Sequence, residues 1–256
     1  IFSNTYGPSG GDPLFPNIQN TINSSKSEAI YGELSYDMTE KFTVSLGSRY
    51  FKDDRSFENL LAATGSLEDS FDQISSSLKV SYAASDDSNI YFNVSEGFRS
   101  GGFNQNGVTY KPENLISYTL GAKAVFLDGR LNVDGAVFRS DYKDYQSLTV
   151  LTTSGAITGN PGEVEIEGLE FSVQFNLVEN LKVGLSGGVV NAEFVKTDPL
   201  VTSVLQGDSV NGVPEHSYSV MLDYDFTWFS SVAGFFHFDY ARSGKSSAML
   251  RGGFFD

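Results

Sequence analysis

The chain has 256 residues, a net charge of −15, 26 glycines, 21 Phe, 13 Tyr and no Cys. The acidic balance argues against a nucleic-acid partner, since phosphate binding needs clustered Lys and Arg. The missing cysteines exclude a disulfide framework and thiolate metal sites, and no run approaches the roughly 18 apolar residues of a membrane helix.

Charged residues make up 19% of the chain, against about 25% in ordinary soluble proteins. Together with the glycines and aromatics this points to an all-β protein. The first residue is Ile1, in a loop-like stretch with no signal peptide, so a piece of something longer is expected.

Residues 1–26 are turn-rich and aperiodic and predict a loop. From Glu28 the apolar period is two: Ile30, Leu34, Tyr36 and Met38 share a face opposite Glu33, Ser35 and Asp37. A turn near Glu40 leads to Phe42, Val44, Leu46 and Tyr50, opposite Thr43, Ser45, Gly47 and Arg49. Residues 52–72 form an acidic excursion expected to be a loop. The pattern then recurs in Ile74–Tyr82, Ile90–Val94, Tyr118–Phe126, Leu131–Phe138, Leu169–Phe175, Leu181–Val189, Tyr218–Phe226 and Val232–Tyr240. Short turns centre near 40, 87, 128, 179 and 228; long loops are expected at 100–114, 147–163 and 196–215, with the tail 243–256 also loop-like.

Ten strand candidates result, each with one apolar side and one small or polar side. A soluble sandwich shares that alternation, but three features favour a membrane barrel. The strands run about 10–14 residues, enough for the roughly 9–11 that a tilted strand needs to cross a bilayer. Their polar sides are Ser, Gly, Thr and Asn more than Lys or Glu. Loop lengths alternate short and long, as in outer-membrane barrels. Tyr36, Tyr50, Tyr82, Tyr224 and Trp228 suit an interfacial girdle.

The stretch Ser95–Asn104 reads Ser-Glu-Gly-Phe-Arg-Ser-Gly-Gly-Phe-Asn. It is followed by Pro112-Glu113, then Tyr118, Gly121 and Lys123, then Asp128–Leu131, Ala136, Phe138 and the run Tyr142, Asp144, Tyr145, Gln146. Asn160, Gly162, Gly168, Glu170 and Pro214-Glu215-His216 complete the series. In this order and spacing the chain resembles the C-terminal barrel half of TonB-dependent outer-membrane receptors, over about Glu28 to Tyr240. Thr119 departs from the Glu common at that place in the family.

The resemblance implies an antiparallel up-and-down transmembrane β-barrel segment. Residues 1–256 would form a partial barrel domain: about ten strands of a larger barrel, whose full family complement is about 22, without the plug. It implies a bacterial outer-membrane location and active uptake of a scarce nutrient such as a ferric siderophore. Energy would arrive from the TonB complex through the missing plug domain, with lipid and the plug as partners. The rival reading is a small passive outer-membrane pore or structural barrel. No enzymatic role or cofactor is expected.

The candidate ligand-binding residues are Arg49, Arg99, Asn104, Tyr110 and Tyr142. The arginines lie at strand ends near the mouth, where a fork of donors suits a carboxylate or ferric chelate. Glycines at 97, 101 and 102 suit a strand bending into a loop; the stretch lacks the Lys-Ser/Thr of a phosphate loop. The acidic group Asp53, Asp54, Glu58, Glu68, Asp69 and Asp72 has oxygens suited to Ca²⁺ but lacks the Asp-x-Asp-x-Asp-Gly order, so it reads as a solvated outer loop. His216 and His237 have no partner at ligand spacing and are not read as metal ligands.

Overall fold

The structure is a computed structural model describing residues 21–59, 65–104, 107–152, 155–199, 201, 204–229 and 232–246. Its strands are β1 (Thr21–Thr39), β2 (Phe42–Asn59), β3 (Ser66–Ser85), β4 (Ser88–Arg99), β5 (Gly102–Phe103), β6 (Thr109–Tyr110), β7 (Glu113–Phe126), β8 (Leu131–Thr152), β9 (Gly155–Val178), β10 (Leu181–Thr197), β11 (His216–Trp228) and β12 (Val232–Ser243). Ten of them form one antiparallel sheet in the order β1-β2-β3-β4-β7-β8-β9-β10-β11-β12, and β5 with β6 makes a separate small hairpin. The ten expected strands are the ten of this sheet, joined in sequence order as an up-and-down meander.

Cross-strand pairing sorts the side chains into two faces. Leu34 opposes Leu46, Leu46 opposes Leu78 and Leu78 opposes Val94, so one apolar row crosses four strands. These side chains lie bare: Leu34 is 82% exposed and Leu46 59%. A bare apolar face this broad is what a hydrocarbon-facing wall requires.

The apolar band has a sharp upper edge. Above Ile30 and Tyr50 the same outward face carries the pairs Lys26–Glu28 at 2.9 Å and Lys52–Asp54 at 3.1 Å. Above Val137 and Leu169 it carries Arg139 bonded to Asp141 at 3.0 Å and to Glu165 at 2.6 Å. This charged collar marks where the lipid band ends. Tyr50, Tyr118, Tyr218 and Tyr240 are exposed near that edge, and Tyr36, Tyr82, Tyr224 and Trp228 toward the short turns. They form two aromatic girdles where amphipathic rings belong.

The strands are longer than the sequence suggests. The acidic stretch 52–72 is not a loop: β2 runs to Asn59 and β3 starts at Ser66, paired from Glu58↔Ser66 downward. Likewise β8 and β9 extend through most of 147–163, paired to Thr152↔Gly155, and β1 begins at Thr21, inside the expected first loop. Above the collar the outer face meets water instead of lipid, so the apolar side of the alternation ends while the ladder continues. The expectations for 1–20 and 247–256 fall outside the described residues.

Close packing sits at the rim rather than mid-sheet. Val164, Ala192, Phe194, Val204 and Val210 form a buried cluster, with Tyr142, Tyr145, Ile166, Val190 and Val213 against it. Val204 and Val210 come from the expected loop 196–215, whose described residues 204–215 lie back along β10. Val190, Phe194 and Val210 amides there bond the carbonyls of Glu215, Asp208 and Ala192, continuing the ladder beyond the last β10–β11 pair, Val189↔His216.

Candidate functional site: the strap across the rim

The segment 100–112 connects two neighbouring strands, β4 and β7, yet it does not simply arch outward. It folds as the β5–β6 hairpin, with Gly102 opposite Tyr110 and Phe103 opposite Thr109. One side reaches β2: Phe103 packs on Phe57 at 6.3 Å between ring centroids. The other reaches β8 and β9. Since β2 and β9 are separated by four strands in the sheet, one short segment can touch both only from the concave side. The polar face is therefore the inner one, and the segment is a strap over it.

The β9 attachment is a side-chain imitation of a strand pair. Asn104 Nδ2 donates to Thr158 O at 2.8 Å and Thr158 N donates to Asn104 Oδ1 at 2.8 Å. Asn160 does the same to Lys111: its Nδ2 donates to Lys111 O at 3.1 Å and its Oδ1 accepts from Lys111 N at 2.8 Å. Asn160 Nδ2 also donates to Asp144 O at 2.6 Å.

A second node closes the base of the strap. Arg99 and Glu113 are the last cross-strand pair of β4 and β7. Arg99 Nη2 donates to Glu113 Oε2 at 2.8 Å and to Gln146 O at 2.9 Å, while Gln146 N donates to Glu113 Oε2 at 2.5 Å. Gln146 Nε2 donates to Ser100 O and Lys111 O, each at 2.9 Å. Glu113 is buried, so its charge is held by these donors, as burial demands.

On the β2 side, Asp53 is 2% exposed. Its Oδ1 accepts from Ser25 Oγ at 2.6 Å and its Oδ2 from Arg55 Nε at 2.7 Å. Burial, the largest influence, pushes the Asp53 carboxyl up, but the bonds from Ser25, Arg55 and Ser100 together outweigh it and hold the group below the ordinary carboxylate range. Ser100 belongs to the strap, so Asp53 anchors it.

Close approach of backbone requires glycine at 101 and 162, and at 102 a side chain would displace the Tyr110 hydroxyl. A Cβ on Gly101 would sit 2.5 Å from Tyr110 O, one on Gly102 2.6 Å from the Tyr110 hydroxyl, and one on Gly162 1.9 Å from Lys196 O. A bulge in β8 does the remaining shaping. The register with β9 slips between Tyr142↔Val164 and Tyr145↔Gly162, with Asp144 at φ 50°. The extra residue puts Tyr145 on the same face as Tyr142, where they meet edge to face at 5.6 Å, and Tyr145 meets Phe194 at 5.9 Å. Burial is the main cause of the raised Tyr145 phenol pKa, with Glu113 adding to it.

The five sequence candidates thus part company. Asn104 is buried within the strap, Arg99 is tied into its base and Tyr110 lies against Gly102. Tyr142 packs on the rim cluster. Arg49 stands apart, on the inner face of β2: its guanidinium lies 4.9 Å from the Phe51 ring centroid, and it makes no ion pair among the described residues. Glu113, Gln146 and Asn160 carry most of the strap's bonds. All three stand in the motif runs, but nothing in their spacing shows that they converge.

Of the acidic group, Asp53 is buried under the strap and Asp54 pairs with Lys52 in the collar. Among the described residues no cluster of three His, Cys, Asp or Glu is arranged to hold a metal. His237 lies far from the strap, between Asp223 at 2.5 Å and Asp239.

Residues 2–251 match the family described as TonB dependent receptor-like, beta-barrel. The pesticin receptor of Yersinia pestis is 25% identical over 232 residues, covering 82% of this chain and 34% of its own length. The ferric yersiniabactin uptake receptor FyuA from Yersinia pestis superposes with a TM-score of 0.69 at 20% identity, over 82% of this chain and 33% of that one. The siderophore receptor PiuA from Acinetobacter baumannii gives 0.66 at 17% identity, over 80% and 32%. The chain spans about a third of the length of these relatives.

Proposed function

Because the chain belongs to the TonB-dependent receptor β-barrel family, we propose that it is part of the wall of an outer-membrane receptor that takes up a scarce, bulky nutrient. A ferric siderophore or similar iron chelate is the nutrient this reading favours, as the similar structures include a ferric yersiniabactin uptake receptor and a siderophore receptor. Residues 1–256 act as a partial barrel domain in a bacterial outer membrane. Energy comes through TonB acting on a plug domain that the polar inner face encloses. The wall itself performs no covalent chemistry.

The observation that carries the reading is the pairing of a bare apolar band outside with an inner face bridged at its rim by a bonded strap. A passive pore needs a clear lumen; a receptor needs a shaped mouth. The open order of the sheet supports a larger wall. Among the described residues β1 pairs only with β2 and β12 only with β11, and a spanning sheet must close, because hydrocarbon leaves no partner for edge amides.

The test is uptake of radiolabelled iron, supplied as ferric siderophores, in cells starved of iron. Deleting the gene that encodes this chain abolishes uptake of at least one chelate, and so does deleting tonB. Unchanged uptake of every chelate, with steady voltage-insensitive conductance by the purified protein in planar bilayers, would favour the passive pore.

A further inference from the structure

The seam between β3 and β4 closes only part of the way. β2 and β3 stay paired up to Glu58↔Ser66, and β4 stays with β7 up to Arg99↔Glu113. β3 and β4 pair no higher than Ser77↔Ser95. From Ser76 up to Ser66, β3 therefore has a ladder on one side only among the described residues. We propose that this edge is a docking site at which an extended, basic segment of a partner protein adds as one more strand.

The split is internal to the chain. β3 and β4 are sheet neighbours joined by the turn at 86–87, so a larger barrel adds strands beyond β1 and β12, not between these two. The strap lies under the inner side: a Cβ on Gly101 would sit 2.8 Å from the Phe71 ring, and one on Gly107 3.7 Å from Leu67 Cδ1. The edge therefore opens outward. It rises above Ile74, whose partner Tyr50 is the topmost lipid-facing residue of β2, so it stands in water outside the membrane.

Its backbone groups are covered one at a time by side chains. Ser70 N donates to Asp69 Oδ1 at 2.9 Å, Gln73 Nε2 donates to Ile74 O at 3.0 Å and Ser76 N donates to Glu96 Oε2 at 2.9 Å. All three covered residues have the same parity, the one whose amides and carbonyls point into the split. An incoming strand replaces such covers with a continuous ladder. The stronger defences of an edge are missing: between Ser66 and Leu78 there is no Pro, no Lys and no bulge against β2.

Charge selects the partner. Between Arg55 and Lys79 the sequence holds Glu58, Glu68, Asp69 and Asp72 and no Lys or Arg. Glu68 and Asp72 are exposed on the outward side of the edge, with Glu96 at its foot. Lys52 stands opposite Asp72 but is held by Asp54 at 3.1 Å. Outward side chains of an added strand thus meet carboxylates, and opposite charges facing each other across a ladder are stabilising. Its inward side chains meet Phe71 and Leu67 over the strap, which suits small or apolar residues. Two copies of this edge would set acid against acid, so the occupant is a different chain of basic, alternating pattern.

This inference goes beyond uptake, and its test uses none. Purified full-length receptor in detergent is titrated with a short fluorescent peptide of alternating Lys and Val, followed by anisotropy, and the complex is mapped by hydrogen exchange. The peptide binds saturably and slows exchange within residues 66–76. The same peptide with every second amide N-methylated keeps its charge, loses the ladder and binds at least about tenfold more weakly. Glu68→Lys combined with Asp72→Lys lowers affinity about tenfold or more and brings binding of a Glu–Val peptide that the parent lacks. Ser70→Pro lowers affinity about fivefold or more, because the Ser70 amide points away from β2 and proline there removes a donor from the edge while sparing the β2 ladder. Glu167→Lys combined with Glu193→Lys, on the outward face of β9 and β10, stays within about threefold of the parent, as expected of distant, screened charges. Folding of each variant is checked by its heat-modifiable gel mobility. No saturable binding, equal binding of the N-methylated peptide, protection only outside residues 66–76, or an equal loss in the Glu167 and Glu193 variant would each overturn the proposal. Failure of iron uptake leaves this assay untouched, and the reverse holds too.

Discussion

The same strands serve two surroundings, and the halves differ in how they are held. In the band, side chains such as Leu34, Leu120 and Val137 have only their neighbours on the same sheet face to touch and stay exposed; lipid must supply what burial supplies elsewhere. At the rim, Phe57, Val164, Phe194, Val204 and Asp53 are closed off from solvent, and the strap is held by amide and carboxylate side chains. The band needs only pattern. The rim needs particular residues, because an orphaned polar group there costs free energy.

That contrast sets the order of sensitivity to change. Phe194→Ala removes the centre of the rim cluster and costs about 3–5 kcal/mol, the usual range for a buried Phe, read as a lowered midpoint in denaturant titration of the detergent-folded protein. Leu120→Arg, on the lipid face at mid-band, costs about 2–4 kcal/mol in the same titration. Leu120→Val there is near neutral, whereas a comparable trim at Val164 is felt.

Asn104→Ala comes next. It leaves the Thr158 amide and two carbonyls without their side-chain partner, at about 1–3 kcal/mol for a buried group left unsatisfied. The readout is faster hydrogen exchange confined to residues 100–112 and 157–160, with the band unchanged.

Acid acts through Asp53. Its folded-state pKa is depressed, so the stability it contributes is present above the ordinary carboxylate value and is lost as pH falls through the lowered one. Exchange of the strap amides accelerates in that acidic window, and Asp53→Asn removes the pH dependence. At the small end, Lys26→Ala in the solvent-exposed collar pair produces no measurable change in midpoint, as is common for surface ion pairs.

The halves also differ in how well the sequence exposes them. Within the band the period of two, with Leu34, Leu46 and Leu78 in matching places, reveals every strand. Above the collar the outer face meets water instead of lipid, and the stretches Lys52–Asn59 and Ser147–Thr152 lose the alternation although the ladder persists; they read as loops. The strap's glycines and Asn104 are visible as a motif, but their roles are not. Arg49 and Arg99 look alike in sequence, both near strand ends. What separates them is Glu113 and the Gln146 carbonyl, the latter 47 residues from Arg99, and only folding brings them together.

The claim that most rests on is that one face of this sheet meets lipid and the other a lumen. The chain has no native Cys, so single cysteines placed along β7 of the full-length receptor carry a nitroxide without interference from this segment. Collision rates with oxygen and with a water-soluble nickel chelate would be measured from position 117 to position 124 in membranes. The account predicts strict alternation, with 118, 120, 122 and 124 favouring oxygen and 117, 119, 121 and 123 not. Oxygen-favouring labels at both parities, or nickel access at Leu120, would contradict it.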